Sequence, residues 1–185
     1  MSLFYEFDDV SRFTTGAVGE PGQRTFYLQV QHDDTVLTLK CEKLQVATMA
    51  MHIRNLLKDL PEPSKKPSNT GFVIDPSFPD FTLGTIGLGY DRTGGRIFLQ
   101  LDELYFNDEA EEGETGASRF DEDDLEIYDD EDEEFDADRI RMFITPEQAI
   151  AFCDAAESAV SGGREQCEWC GGPKDPRGHA CPRFN

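Results

Sequence analysis

Four residues with metal-binding side chains lie within the last nineteen residues of this 185-residue chain: Cys167, Cys170, His179 and Cys181. The C-x2-C spacing of the first pair lets two thiolates of one turn bind the same ion, and His179 and Cys181 share a face if their segment is extended. The eight residues between the pairs are almost all turn-forming, so they fold the second pair back onto the first. Three thiolates and one imidazole favour zinc over an iron–sulfur cluster, which normally takes four thiolates.

The pattern predicts a structural zinc site rather than a catalytic one, because four protein ligands fill a tetrahedral coordination sphere and leave no position for water. A disulfide framework is disfavoured, since the chain has five cysteines and begins with an acidic stretch rather than a signal peptide. A thioredoxin-like pair is expected where a helix begins after a strand. This pair instead follows a predicted helix and enters Gly/Pro turns. The alternatives are a redox role, another metal, or cysteines without a shared function.

The negative charge of the chain is concentrated in one segment. Residues 108–138 contain eighteen Asp or Glu and one basic residue, Arg119, so they carry −17 of the net charge of −21. Self-repulsion and a shortage of apolar groups predict a disordered surface insert at residues 107–138. A calcium-binding loop is disfavoured, because the acidic run from 121 to 132 lacks the central glycine that such a loop requires.

The composition also argues against two classes of partner. An acidic chain offers few Lys and Arg side chains for phosphate contacts, so nucleic-acid binding is not expected. The sequence contains no run of about eighteen apolar residues, so no membrane span is predicted. The unpaired Cys41 and Cys153 fit a reducing compartment, and we therefore expect a cytoplasmic protein.

The body of the chain predicts an α+β fold, with two similar antiparallel-sheet-plus-helix halves packed as one domain at 1–163. The halves are about 1–60 and 71–163, joined by a linker at 61–70, and a zinc-knuckle-like tail follows at 164–185. In each half a Gly-rich turn leads into an apolar strand, which is typical of a hairpin, and a further strand and a helix follow. This repeated pattern suggests an internal duplication.

The two predicted helices carry clear sequence signals. The first, near Glu42–Leu60, has one apolar stripe of helical period. The second begins at Thr145, with Pro146 in the first helical position and Gln148 placed to complete a capping box. Cys153 lies near its apolar stripe, so we expect a buried, inert thiol. The two stripes consist of Val46, Met49, Ala50, Ile53, Leu57 and Leu60, and of Ala149, Phe152, Ala156 and Val160.

Three arginines are candidate ligands for an anion. Arg24 and Arg96 end the Gly-rich turns of the two halves, and Arg92 lies within the second turn. If the halves are related by pseudo-symmetry, the three side chains lie near one groove and bind a small anionic ligand. The alternative is that their long side chains reach from the strand ends into solvent.

No other group of residues predicts a catalytic site. Gly84, Gly87 and Gly89 are spaced unlike a dinucleotide-binding loop and no helix follows them, so a curved or bulged strand is expected. His32 is predicted in a turn and His52 on a solvated helix face, which leaves no histidine to act as a general base beside a nucleophile.

Four segments together resemble one known family. They are 13–29, Leu39–Val46, Met142–Ala149 and the terminal Cys-Glu-Trp-Cys-Gly-Gly-Pro-x-Asp-Pro-x-Gly-His-x-Cys-Pro-Arg. The chain resembles the actinobacterial domain of unknown function 3090 family over nearly its whole length. The resemblance implies an intracellular bacterial protein with a Cys/His tail. It implies no established activity, but it does suggest a shared process with a histidine-type phosphatase and a phosphoinositide-kinase-like protein, near which members are often encoded.

These observations lead to two hypotheses of function. The first is a non-enzymatic, zinc-stapled protein that binds a protein partner, with Trp169 and Phe184 as contacts beside the zinc. The second is a binder of, or an enzyme acting on, a small anionic ligand held by Arg24, Arg92 and Arg96 between the halves.

Overall fold

The structure is a computed structural model in which the described residues are 2–58, 60, 71–105, 137–163, 167–172, 174, 179 and 181–183. The predicted linker and almost all of the predicted acidic insert lie outside these ranges. Neither helix in the described part of the chain is both long and apolar enough to cross a membrane. The elements are β1 (Phe4–Phe7), β2 (Arg12–Val18), β3 (Thr25–His32), β4 (Thr35–Cys41), α1 (Lys43–Lys58), β5 (Phe81–Asp91), β6 (Arg96–Glu103), β7 (Arg139–Ile144) and α2 (Pro146–Ser161).

The seven strands form one mixed sheet in the order β1-β7-β6-β5-β4-β3-β2. Strands β2–β3–β4 and β5–β6–β7 are two antiparallel units, and each is followed by a helix. The units meet where β4 lies parallel to β5, through Leu39 opposite Phe81 and Lys40 opposite Thr82. The α+β class is confirmed, but a purely antiparallel sheet is not. The chain passes through α1 between β4 and β5, and such a crossover returns the next strand parallel to the last.

Strand β1 corrects the predicted boundary between the halves. It lies parallel to β7, with Phe7 opposite Met142, so the first strand of the chain extends the sheet of the second unit. Only residues 8–11 separate β1 from β2, yet these strands stand at opposite ends of the sheet order. A flat sheet would place them about 29 Å apart, whereas the chain from Phe7 to Arg12 reaches at most about 18 Å. The sheet must therefore curl, and the helices pack against its inner face.

The core lies between this inner face and the helices. Alternate residues of each strand point inward, and the predicted helix stripes are buried at all positions except Leu57 and Val160, which are partly buried, and Leu60, which lies beyond α1. Helix α2 packs along β2, where the Phe152 ring stacks on Phe13 with centroids 4.4 Å apart. The helix of the second unit therefore completes the core of the first unit.

Near the start of each helix, a glutamine side chain accepts a hydrogen bond from the backbone N–H three residues before it. Thr145 Oγ1 accepts from the Gln148 N–H at 3.3 Å, and Gln148 Oε1 accepts from the Thr145 N–H at 2.9 Å, which confirms the predicted capping box. At the start of α1, Gln45 Oε1 accepts from the Glu42 N–H at 2.8 Å. Each glutamine also donates its amide across to the other unit, Gln45 to the carbonyls of Leu83 and Gly84 and Gln148 to the carbonyl of Val10.

The helices also contact each other at matching positions. Arg54 Nη2 lies 2.6 Å from Glu157 Oε2, and the Cys153 thiol donates to the Ala50 carbonyl at 3.5 Å. In both pairs the partners are 103 residues apart in the chain, which is also the spacing of Gln45 and Gln148. Equivalent positions of the two units thus face each other, as an approximate two-fold relation requires. The origin of the two units from one duplicated sequence stays a prediction.

Replacing Phe152 by alanine tests whether α2 holds the two units together. Phe152 is fully buried, and removing a core aromatic ring of this kind lowers the free energy of unfolding by about 3–5 kcal/mol. Urea denaturation measures the loss. Met51→Ala on the exposed face of α1 is the control, because Met51 is 53% exposed, and its cost should stay within about 0.5 kcal/mol. Equal costs for the two variants would contradict the arrangement.

Candidate metal centre

The first two ligands lie on a tight turn. The Gly171 N–H donates to the Cys167 carbonyl at 2.8 Å, and the Cys167 N–H donates to the Gly172 carbonyl at 2.7 Å. Gly171 has φ of +70°, a left-handed conformation that favours glycine. A Cβ at Gly172 would make an ordinary contact with Cys170 Sγ, at 3.4 Å. Gly171 is therefore the glycine whose conformation the turn requires.

The structure brings the four predicted ligands together. One ligand atom from each of Cys167, Cys170, His179 and Cys181 lies within 4.8 Å of every other. Cys167 Sγ is 3.9 Å from Cys181 Sγ, and Cys170 Sγ is 3.2 Å from His179 Nε2. A tetrahedral ion with bonds of about 2.3 Å to sulfur separates its ligand atoms by about 3.8 Å, whereas a disulfide requires about 2.05 Å. The arrangement therefore suits a bound metal ion.

The turn also favours the thiolate form that metal binding requires. The backbone N–H groups of Cys170 and Trp169 donate to the Cys167 sulfur and lower the pKa of this thiol to about 6. The backbone N–H of Arg183 acts on Cys181 in the same way, but desolvation and the neighbouring thiols outweigh it and raise the pKa of Cys181. At neutral pH the lowered pKa of Cys167 therefore provides a thiolate, which is the form that binds a metal cation.

The thiols of the core show the opposite behaviour. Burial raises the pKa of the Cys41 thiol to about 12 and that of the Cys153 thiol to about 11. Both thiols stay protonated at neutral pH, and thiolates are the reactive form of cysteine. Cys153 is buried, as the sequence predicts.

Of the two aromatic residues predicted beside the metal, Trp169 lies on the turn between Cys167 and Cys170. Its side chain is 59% exposed, although it sits between two ligands. Phe184 lies outside the described residues.

The three arginines proposed to hold an anion occupy different surroundings. Arg24 lines an open cleft of about 530 Å³ between β3, the start of α1 and the end of α2, and its Nη1 donates to the Ala159 carbonyl at 3.1 Å. Arg92 is exposed in the β5–β6 turn. Arg96 stacks over the Phe143 ring at 4.4 Å, and neither it nor Arg92 lines this cleft.

Two basic residues that the sequence analysis passed over share the cleft with Arg24. They are Lys40 at the end of β4 and Lys43 at the first position of α1, with Glu42 between them. In the segment Lys-Cys-Glu-Lys, two lysines flank the point where a strand passes into a helix, but nothing local indicates that the end of α2 lies opposite.

The curled mixed sheet, the paired helices and the Cys3His cluster define an α+β protein with a candidate structural metal centre in its tail. The chain belongs to the DUF3090 family, described as a protein of unknown function, which it matches over residues 5–181. The family resemblance drawn from the sequence is therefore confirmed. No curated protein and no solved structure matches the chain.

Metal analysis of the purified protein tests the centre. We expect about one metal ion per chain and a loss of most of that metal in Cys170→Ser, because this substitution leaves three strong ligands around a site that needs four. Cys41→Ser is the matched control, since Cys41 is buried in the core and the substitution should leave the metal content unchanged. Equal metal contents for the wild type and Cys170→Ser would contradict the centre.

Proposed function

We propose that this protein is a non-enzymatic, cytoplasmic protein-binding or adaptor protein whose C-terminal tail is held by a structural zinc ion. The closed ligand set carries the proposal. Three cysteines and one histidine within reach of one ion saturate a tetrahedral zinc, so no position is left for a substrate or a reactive water. Zinc is favoured by the mixed sulfur and nitrogen donors.

Trp169 supports a binding role for this tail. A tryptophan between two metal ligands is fixed to the ion through the backbone on both sides, yet its ring is mostly exposed. An aromatic side chain held in place before binding loses little conformational entropy when a partner covers it, and tryptophan is enriched among the residues that dominate binding energy. The metal thereby presents the indole ring to a partner.

The proposed partner is a protein, with the kinase-like or phosphatase proteins suggested by the family resemblance as the first candidates. The acidic segment 107–138 offers a second contact, because its charge of −17 attracts a basic surface and accelerates association at low ionic strength. Nucleic acid and membrane are not proposed as partners.

Affinity purification from the native host tests the role of Trp169. We expect wild-type protein to retain a kinase-like or phosphatase protein and Trp169→Ala to retain at least about tenfold less, since a hot-spot tryptophan contributes more than about 1.4 kcal/mol. Zinc content should be the same in both. The control is Glu168→Gln, which changes the exposed neighbour on the same turn. Retention that is unchanged by Trp169→Ala would remove this residue from the interface.

The cleft around Arg24 favours a second candidate function, the binding of a small anion. Arg24, Lys40 and Lys43 bring three positive charges to its walls against the single carboxylate of Glu42. Lys43 begins a 16-residue helix, whose N-terminal backbone N–H groups favour negative charge. Of the three arginines that the sequence suggested as anion ligands, this candidate site includes Arg24. Lys40 and Lys43 take the roles that were expected for Arg92 and Arg96.

Calorimetric titration with inorganic pyrophosphate tests the cleft. We expect saturable binding that weakens at least about tenfold in Lys40→Ala/Lys43→Ala, because each lost ammonium group removes a charge-assisted contact. Lys58→Ala at the other end of α1 controls for net charge and should change the affinity less than twofold. Absence of saturable binding by the wild type would rule out this use of the cleft.

A further inference from the structure

We propose that the outer face of β5–β6–β7 binds an extended, aromatic-containing acidic peptide segment of a partner protein. The face is formed by Gly87, Gly89, Phe98, Gln100 and Arg141, and we call it the second outer face. These residues alternate with the buried positions of the same strands, so they point away from the helices.

The corresponding face of the first unit is covered by an extended segment of the chain itself. This first outer face consists of Gly16, Tyr27, Gln29 and Thr38, and residues 71–75 lie over it. The Phe72 ring occupies the space above Gly16, where a Cβ would lie only 2.8 Å from the ring. Phe72 also meets the Tyr27 ring edge-on, with centroids 6.3 Å apart. Because Gly16 has no side chain, it leaves a gap on the sheet surface that holds an aromatic ring, and we call such a gap a seat.

A single side-chain amide holds the backbone of the bound segment. Gln29 Oε1 accepts from the Val73 N–H at 2.7 Å, and Gln29 Nε2 donates to the Ile74 carbonyl at 2.9 Å and to Thr38 Oγ1 at 3.1 Å. Gln29 is fully buried beneath the segment. Contacts to backbone groups fix an extended peptide whatever its sequence, and the glycine seat adds the requirement for an aromatic ring.

The second outer face has the same arrangement in the same register. Gly89 lies opposite Phe98 as Gly16 lies opposite Tyr27, and the glutamine of β6, Gln100, follows two residues later, as Gln29 does in β3. Gln100 faces Arg141 of β7 as Gln29 faces Thr38 of β4. On the second outer face, Gly89, Phe98 and Gln100 therefore occupy the positions that Gly16, Tyr27 and Gln29 have on the first outer face.

The seat in the second outer face is open in the described part of the chain. Among the described residues, a Cβ at Gly89 would meet Phe98 alone, at 3.7 Å, whereas the seat at Gly16 is filled by Phe72. Gln100 is half-buried, unlike Gln29, and its amide contacts neighbouring side chains: Oε1 accepts from Arg141 Nε at 2.9 Å and Nε2 donates to Asp102 Oδ2 at 3.1 Å.

The positive charge of Arg141 indicates that the peptide bound on the second outer face is acidic. Arg141 stands where the first face has Thr38, and no described carboxylate forms an ion pair with it, although Glu6 is its register neighbour in β1. Arg139 and Arg96, by contrast, pair with Asp102 and Asp91. Arg141 donates to Gln100 Oε1 and lies over the Phe4 ring, with Cζ 5.5 Å from the ring centroid. Because no described carboxylate balances its positive charge, the group favours a peptide that carries a carboxylate after its aromatic residue. Residues 72–75, Phe-Val-Ile-Asp, have this pattern.

The second outer face does not include Trp169. The peptide-binding proposal can therefore fail without affecting the proposed contact of Trp169 with a partner. The probe is a fluorescein-labelled peptide with the sequence of residues 70–76, Thr-Gly-Phe-Val-Ile-Asp-Pro, added to the full-length protein. Fluorescence anisotropy measures its binding. We expect saturation, and at least about tenfold weaker binding when the phenylalanine of the peptide is replaced by alanine, because the ring supplies most of the buried area.

Two variants of the protein locate the site. Gly89→Val fills the seat and should weaken binding at least about tenfold, while the ordinary 3.7 Å contact of its Cβ with Phe98 leaves the fold intact, which thermal unfolding checks. Thr85→Val, an exposed position on the same strand, is the matched control and should change the affinity less than twofold. Binding that survives Gly89→Val would place the peptide elsewhere on the protein and overturn the proposal.

A further full-length variant distinguishes a partner from the chain itself. Tyr128→Ser/Phe135→Ser removes aromatic residues from the acidic segment and should leave peptide affinity unchanged. If the wild type does not bind and this variant does, the face belongs to the acidic segment of its own chain and the proposal fails. No saturable binding by either protein overturns it as well.

Discussion

The structure depends on the burial of α2 across the boundary between the two antiparallel units. Phe152 of α2 stacks on Phe13 of β2, so the helix that follows the last strand closes the core of the first unit. The short connection between β1 and β2 requires the sheet to curl, and α2 packs against the inner face of the curled sheet. Both units contribute buried residues to one shared core.

The cysteines of the core and Cys167 of the tail differ in their surroundings. The thiols of Cys41 and Cys153 lie in the core, where desolvation keeps them protonated, whereas the tail turn directs N–H groups at Cys167 and stabilises its thiolate. Among the described residues, one group of side chains is arranged to hold a metal ion, and its four members supply four possible ligands. The proposals of function rest on this group and on three surface features: an exposed tryptophan, a basic cleft and an outer sheet face.

Local signals predicted much of this structure. The capping box at Thr145 and the buried stripes of both helices follow from short-range geometry, which the sequence encodes within a few residues. The metal quartet was predictable for the same reason, since its spacing and its glycines act within one short segment. The glycines of β5 were expected in a bulged strand, and the sheet register shifts between Leu83 and Ile86.

Contacts between distant segments were not predictable in this way. Strand β4 pairs with β5, and β1 pairs with β7. The apolar patterns of these strands are compatible with many pairing partners, so the sequence does not specify which strands pair. Arg24 and Arg96 occupy matching turn positions, yet one reaches the end of α2 and the other the ring of Phe143. Nothing in the sequence around Gln29 indicates that its side chain binds the backbone of Val73 and Ile74, which lie more than forty residues away.

We propose that the metal centre is closed and structural and that this protein acts by binding. X-ray absorption spectroscopy at the zinc edge of the purified protein tests this proposal. We expect three sulfur ligands at about 2.3 Å and one nitrogen ligand at about 2.0 Å around zinc, with no oxygen in the inner coordination sphere. A water or carboxylate oxygen bound to the ion, in place of one of these four ligands, would contradict it.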